Sequence, residues 1–222
     1  MNANVLSHEQ AKGFYDRFGA RQDTQRFYEN RALETLVAHS DFGSAHAVFE
    51  YGCGTGRFAV SLLSDHLPPN ATYRAVDVSA TMVGLTHESL VPFGDRVQVD
   101  RTDGAPVLAP AEASVDRFIS NYVLDLLSPA DIRLLLNEAH RLLCPNGFLC
   151  LISLTHGEGI VSRLLTGAWA RVQAFHPALV GGCRPIVLTD YVSEAHWHIR
   201  FHRIITAFGI PSEVLVAEPV AG

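Results

Sequence analysis

The chain has 222 residues, 48% hydrophobic and 18% charged, a balance that supports a substantial core and excludes a disordered chain. Seventeen basic against 23 acidic residues give a net charge of −6; with no Lys/Arg stripe to serve locally, a nucleic-acid-binding surface is not expected. The N-terminus, Met1-Asn2-Ala3-Asn4, does not read as a secretory signal, and no apolar run approaches the roughly 20 residues of a membrane span, so a cytoplasmic protein without stable membrane insertion is expected.

Residues 7–39 read as helical, with Phe14, Phe18, Leu33, Leu36 and Val37 at apolar positions. A first strand over Ala47–Tyr51 meets a glycine loop that opens a helix through about Ser64. Pro68-Pro69-Asn70 forces a turn, and a second strand, Thr72–Val78, leads to Ser79, a fitting N-cap for a helix to about Ser89. A short third strand (Arg96–Asp100) and a fourth (Val115–Ser120) follow. Ser128-Pro129 then starts a helix whose stripe is Ile132, Leu135, Leu136, Ala139, Leu142 and Leu143. Pro145-Asn146-Gly147 is expected to end it before a near-continuous apolar strand, Phe148–Leu154. Strand alternating with helix implies a doubly wound α/β fold around a parallel sheet. Residues 158–175 read as an amphipathic helix, and two consecutive strand-like runs, 197–206 and 213–217, fit an antiparallel pair at a sheet edge.

The chemistry concentrates at the strand ends, where open parallel sheets bind their ligands. Glu50-Tyr51-Gly52-Cys53-Gly54-Thr55-Gly56 places glycines at every second position behind the first strand. Such glycines let the backbone turn sharply and let a ligand lie against the main chain. Asp77 ends the second strand, where a carboxylate can accept hydrogen bonds from a ribose diol. The dinucleotide spacing G-x-G-x-x-G is not met, because Arg57 stands at its third glycine position. No Lys-Ser or Lys-Thr follows, so this is not a triphosphate loop. Glu50 argues against a pyrophosphate ligand and suits a cationic amino group. S-adenosylmethionine (SAM) has that group, a sulfonium and no phosphate.

These residues resemble the class I SAM-dependent methyltransferases, in particular the small-molecule branch that includes the quinone-biosynthesis enzymes. The resemblance runs from about Phe14 to Gly147 and more loosely to the C-terminus. It implies a seven-stranded, mostly parallel sheet with an antiparallel last strand and an N-terminal helical lid. The whole chain, 1–222, is then one domain: a lid over 1–40, a cofactor-binding core over 41–157, an acceptor-side segment over 158–190 and antiparallel edge strands over 191–222. The implied cofactor set is Glu50, Gly52, Cys53, Gly54, Gly56, Asp77 and Val78, with Met82 against the adenine and Asp103-Gly104 at its amino group. Asn121 and Tyr122 border the methyl, and Tyr15 reaches the cofactor carboxylate from the lid.

Other readings stand beside these. Asp103-Gly104 also fits an ordinary turn, and Met82 an ordinary core position. His156, after the fifth strand, suits a general base or a loop histidine bonded to backbone. Asp125 suits substrate orientation or a solvated loop carboxylate. His196, His198, Arg200 and His202 alternate with Trp197, Ile199 and Phe201, which reads as a solvated polar face rather than a metal site. Cys53, Cys144, Cys150 and Cys183 form no C-x-x-C pair and are expected as free thiols. The Asn/Asp-Pro-Pro motif of nucleic-acid and protein-amide methylators is absent after the fourth strand. Phe27, Tyr28, Leu164, Trp169 and Phe175 point to a small, partly apolar acceptor. The chemical expectation is in-line methyl transfer; an intramolecular SAM reaction releasing methylthioadenosine, a nicotinamide dehydrogenase or a silent SAM-binding subunit are the alternatives.

Overall fold

Seven apolar runs pair into one sheet. The computed structural model describes residues 8–18, 26–157 and 183–220. Its strands are β1 (Ala47–Tyr51), β2 (Thr72–Asp77), β3 (Val97–Arg101), β4 (Val115–Asn121), β5 (Leu143–Leu154), β6 (Trp197–Ala207) and β7 (Ile210–Pro219), in the order β3-β2-β1-β4-β5-β7-β6. β1 to β5 are parallel, and β7 runs antiparallel between β5 and β6. The order reverses at β1, so the crevice between β1 and β4 is the switch point where ligands enter such sheets.

Within the stretch 7–39 expected to be helical, the described residues form α1 (His8–Phe18) and α2 (Arg26–His39); residues 19–25 lie outside the described residues. α3 (Arg57–Ser61) leaves the glycine loop and runs into a single π-helical stretch, Leu62–His66. α4 (Ala80–Leu90) is capped by Ser79, whose hydroxyl accepts from the Met82 amide. α5 (Pro129–Leu142) is capped by Ser128, which accepts from the Asp131 amide. Each cap satisfies an amide that the helix itself leaves open.

The strands alternate their side chains between two cores. On one face Val48, Tyr73, Ile119, Ile152 and Val214 meet Ala32 and Leu36 of α2 and Leu62 after α3. On the other, Phe49, Phe118, Leu151 and Leu215 meet the α5 stripe of Ile132, Leu135, Leu136, Ala139 and Leu142. Fully burying one such side chain contributes about 1.5–3 kcal/mol, so these two layers hold the sheet. Arg117 fixes the far end of α2. Its guanidinium, 4% exposed, donates to the Ser40 and Asp41 carbonyls and lies 4.5 Å from the Phe148 ring centroid. The other end of α2 is thereby directed at the crevice.

One boundary departs from the sequence reading. β5 begins at Leu143 rather than Phe148, because α5 ends at Leu142 and Leu143 pairs at once with Val115. Pro145-Asn146-Gly147 is absorbed where the β4–β5 register shifts, between Val115 and Arg117. The expected antiparallel pair does close one edge of the sheet, with β7 against β5 and β6 outermost. The β6–β7 turn is two residues long, with Phe208 (φ 52°) and Gly209 (φ 82°) both left-handed, as a tight hairpin requires. The acceptor-side helix expected over 158–175, with Leu164, Trp169 and Phe175, lies outside the described residues, as does the Phe27 side chain. No described helix is long and apolar enough to cross a membrane.

Candidate functional site

The glycine loop is shaped by β2. The Gly52 and Cys53 amides both donate to the Val76 carbonyl, at 2.8 and 3.2 Å. Asp77, 9% exposed, accepts from the Gly54 amide at 3.0 Å through one oxygen and from the Ser79 amide at 2.9 Å through the other. Its carboxylate therefore builds the loop, with acceptor capacity still left for a ligand. Burial pushes it up to about 6, against the amides of Ser79, Gly54 and Val78. Val78 itself is half-buried beside it.

Two loop glycines have no room for a side chain. A Cβ on Gly52 (φ 84°) would meet Val123 at 2.3 Å, and one on Gly56 (φ 77°) would meet the Thr86 backbone at 2.9 Å. Gly54 (φ 55°) is also left-handed. Cys53 is a buried free thiol that accepts from Thr86 at 3.5 Å; its pKa is raised by burial first.

Glu50 lies beneath the loop, 2% exposed, with Oε2 accepting from the Tyr73 hydroxyl at 2.8 Å. Burial pushes its carboxyl up to about 7, the Tyr73 bond opposing and the charge of Asp77 adding. Met82, 1% exposed, is buried in the first turn of α4. After β3, Asp103 is exposed and its Oδ1 accepts from the Ala105 amide at 2.9 Å, the turn geometry of the plainer reading. Gly104 (φ 92°) passes its carbonyl to the Tyr51 hydroxyl.

β4 delivers Asn121, which lines the cavity in front of the loop together with Gly52, Gly54, Arg57, Glu29 and Tyr122. Both polar atoms of the Asn121 side chain are buried without a hydrogen-bond partner. Tyr122 follows in the left-handed region (φ 56°), a costly conformation for a large side chain. Its amide bonds the Ile152 carbonyl, its hydroxyl bonds Ser212 at 2.9 Å, and Tyr28 of α2 packs edge-on at 6.0 Å.

Asp125 is not a solvated loop carboxylate. It sits on the short turn Leu124–Leu126, is 0% exposed, and neither carboxylate oxygen has a hydrogen-bond partner. The chain covers it because the Arg184 amide bonds the Asp125 carbonyl and the Arg184 guanidinium bonds the Leu127 carbonyl. His156 is exposed beyond β5 and stands apart from this buried group. The polar face of β6 is not wholly solvated either: His202 Nε2 meets Glu213 Oε1 at 2.8 Å, and Glu213, 1% exposed, also accepts from Thr155 and the Leu188 amide. No cluster of three or more His, Cys, Asp or Glu suited to a metal occurs among the described residues.

The helices at the N-terminus clamp this crevice. Asp16 of α1 accepts from the Ser79 hydroxyl at 2.6 Å and the Thr81 amide at 3.3 Å, at the start of α4. Tyr15, next to it, is hydrogen-bonded to Cys183; burial is the main cause raising its pKa. Arg57 bonds Glu29 at 3.0 Å and Asn30 at 2.8 Å, tying α2 to the loop. Asp16, Glu29 and Arg57 escape sequence reasoning because a charged residue on an amphipathic helix looks like surface until its partner is placed. Only the adjacency of Asp16 to Tyr15 gave a signal.

The residues suit a cationic, phosphate-free ligand. Glu50 and Asp77 are buried carboxylates at the loop, and among the described residues no Lys, Arg or His forms an ion pair with them. The orphaned Asn121 amide offers a donor and an acceptor at the same crevice.

Comparison with known proteins gives a domain match and a shared fold. Residues 48–147 match the family described as a methyltransferase domain. No curated protein matches the sequence. Among solved structures, the chain is similar to the [4+2]-cyclase SpnF at 13% identity, covering 100% of both chains with a TM-score of 0.73. It is similar to geranyl diphosphate C-methyltransferase from Streptomyces coelicolor A3(2), solved with Mg2+, geranyl diphosphate and S-adenosyl-L-homocysteine: 13% identity, 86% and 79% covered, TM-score 0.64. A putative methyltransferase in complex with the Haloferax volcanii Trm112 activator gives 14% identity, 96% and 98% covered, TM-score 0.69. The chain therefore carries a methyltransferase-domain match from β1 into β5, within the class I methyltransferase fold.

Proposed function

We propose that this protein binds SAM in the crevice between β1 and β4 and transfers its methyl group to a small, partly apolar organic acceptor. The observation that carries the reading is the loop Gly52–Gly56 held by Asp77, with the buried carboxylate Glu50 below it. Gly52, Gly54 and Gly56 let the ligand approach the main chain, and Cys53 fits as a small side chain between them. Glu50 faces the ammonium end, Asn121 and Tyr122 border the methyl, Asp77 and Val78 face the ribose, and Met82, Asp103 and Gly104 the adenine, with Tyr15 closing from the lid. The methyl-domain match over residues 48–147 supports the same ligand.

Bound SAM supplies an activated methyl group on a sulfonium. The protein's part is alignment and exclusion of water. Tyr122, pinned by its own backbone and by Ser212, and Tyr28 against it, wall the space beside the loop. The Arg57–Glu29 pair and the Asp16–Ser79 bond close it from above. His156, exposed beyond β5, is in this scheme a base only for an acceptor that reaches it.

A fold neighbour named for cyclisation shows that this scaffold also carries other reactions. The test is titration calorimetry with S-adenosylhomocysteine (SAH), NAD+ and ATP, followed by chromatography of SAM incubations with an acceptor panel. SAH alone should bind, and the product should be SAH. Tight NAD+ binding, or methylthioadenosine in place of SAH, would overturn the proposal.

A further inference from the structure

Asp125 stands outside the requirements of the cofactor cradle. The glycine loop, Glu50 and Asp77 come from β1 and β2; Asp125 follows β4, on the short turn beyond Asn121 and Tyr122. Around it stand Tyr15 of α1, Tyr28 of α2, Tyr122 at the end of β4 and Cys183. Arg184 and Glu29 are the charged groups that act on it, with opposite effects. Cys183 and Arg184 lie on the acceptor-side stretch of the chain. The surroundings are thus hydroxyls, rings and a thiol, with one arginine whose guanidinium is turned to the Leu127 carbonyl.

A fully buried carboxylate with neither oxygen in hydrogen-bond geometry is expensive; the nearby Asp125 and Leu154 backbone and Arg184 ease the loss of water, yet burial outweighs them. Such groups are rare in native structures and mark a catalytic role, stored strain or a bound partner. The missing partner has to bring a donor, since an ionised carboxylate only accepts. Resting on the methyl-transfer reading above, we propose that Asp125 receives the O–H or N–H of the methyl acceptor, so that the acceptor is a hydroxyl or amino compound methylated on that heteroatom. As the heteroatom bonds to the methyl carbon and the carbon–sulfur bond breaks, its proton passes to Asp125. A cationic donor and an anionic side chain become a neutral thioether and a neutral carboxylic acid, and no new charge is left in the buried cleft. The carboxyl then returns the proton to solvent. Burial, which pushes Asp125 up to about 7, fits a group that takes and gives a proton near neutrality.

The experiment uses phenol and aniline as donor probes, with anisole and toluene as near-isosteres lacking the proton, each titrated into the full chain saturated with SAH. Wild type should bind phenol or aniline at least tenfold more tightly than anisole or toluene. Asp125→Leu should erase that preference while SAH affinity stays within threefold. Asp125→Asn, which still accepts a hydrogen bond, should keep the preference but lose at least 100-fold in methyl transfer from labelled SAM to the donor probes. The proposal is overturned if neither donor probe binds, if wild type shows no preference, if Asp125→Leu keeps it, or if Asp125→Asn turns over normally. It is also overturned if either variant loses SAH affinity tenfold, which would place Asp125 in the cofactor site. If Asp125→Leu does not fold, the Asp125→Asn rate decides. Failure of wild type to bind SAH at all would instead refute the methyl-transfer reading.

Discussion

Replacing Glu50 by glutamine separates what a buried carboxylate costs the fold from what it gives the ligand. Its carboxyl rises from an ordinary value of 4.5 to about 7, mainly through burial. The folded state therefore holds the proton more tightly than the unfolded one. The associated stability is fully present below about pH 4.5 and is lost as pH rises through about 7. At about 1.4 kcal/mol per tenfold change, the loss is about 3 kcal/mol. Glu50→Gln has no charge to bury, so the wild-type-minus-variant stability difference should fall by that amount between pH 4.5 and 8. For a chain of this size that is a relative melting shift of about 6–12 °C. The glutamine amide leaves an extra donor to satisfy, which offsets the absolute level but not the slope. Ligand binding should run the other way. The ammonium of SAH needs the ionised carboxylate, so affinity carried by Glu50 should fall about tenfold from pH 8 to pH 6 in wild type and not in the variant. Melting curves from pH 4.5 to 8.5 and SAH calorimetry at pH 6 and 8, both referenced to the variant, check the two halves. A pH-independent stability difference, or a variant that binds SAH as tightly as wild type at pH 8, would refute the reasoning.

Gly54→Val places a β-branched side chain at φ 55° in the loop, and should abolish SAH binding while circular dichroism shows the fold largely retained; unchanged affinity would sink the site assignment. Asp16→Ala removes the side-chain acceptor at the start of α4, which should cost about 1 kcal/mol in denaturant unfolding. Hydrogen exchange should also speed up in α1, where unchanged protection would refute its role as a clamp. Phe208→Asn puts a residue tolerant of left-handed backbone at the β6–β7 turn, where Phe208 is 77% exposed. It should stabilise the chain by about 0.5–1 kcal/mol, read as a higher melting temperature.

Periodicity found most elements, because burial of one face leaves a repeat that local sequence records. β1, the α5 stripe and the capped starts at Ser79 and Ser128 all appear where spacing and caps put them. Alternate glycines ending in Gly56, with Glu50 before and Asp77 after, marked the strand ends of β1 and β2 as one crevice, since parallel strands bring their carboxyl ends to the same edge. Where α5 gives way to β5 was harder to read. Pro145 and Gly147 look like a break, yet pairing with β4 begins before them, and that depends on Val115.

The sequence by itself determined the sheet's class and the glycine loop behind β1, because each rests on short-range spacing or on residue chemistry. Tertiary structure alone decided which charged residues are wet. Asp125 and Asp103 are both acidic residues on loops after strands, yet one is sealed and unbonded while the other is exposed and closes a turn. Beside Asp125 the chain returns from a distant segment, with the Arg184 amide on the Asp125 carbonyl. Likewise β7 enters between β5 and β6 because its partners lie on β5, more than 50 residues away. Solvation and strand order are set by contacts between distant segments, and no local pattern carries them.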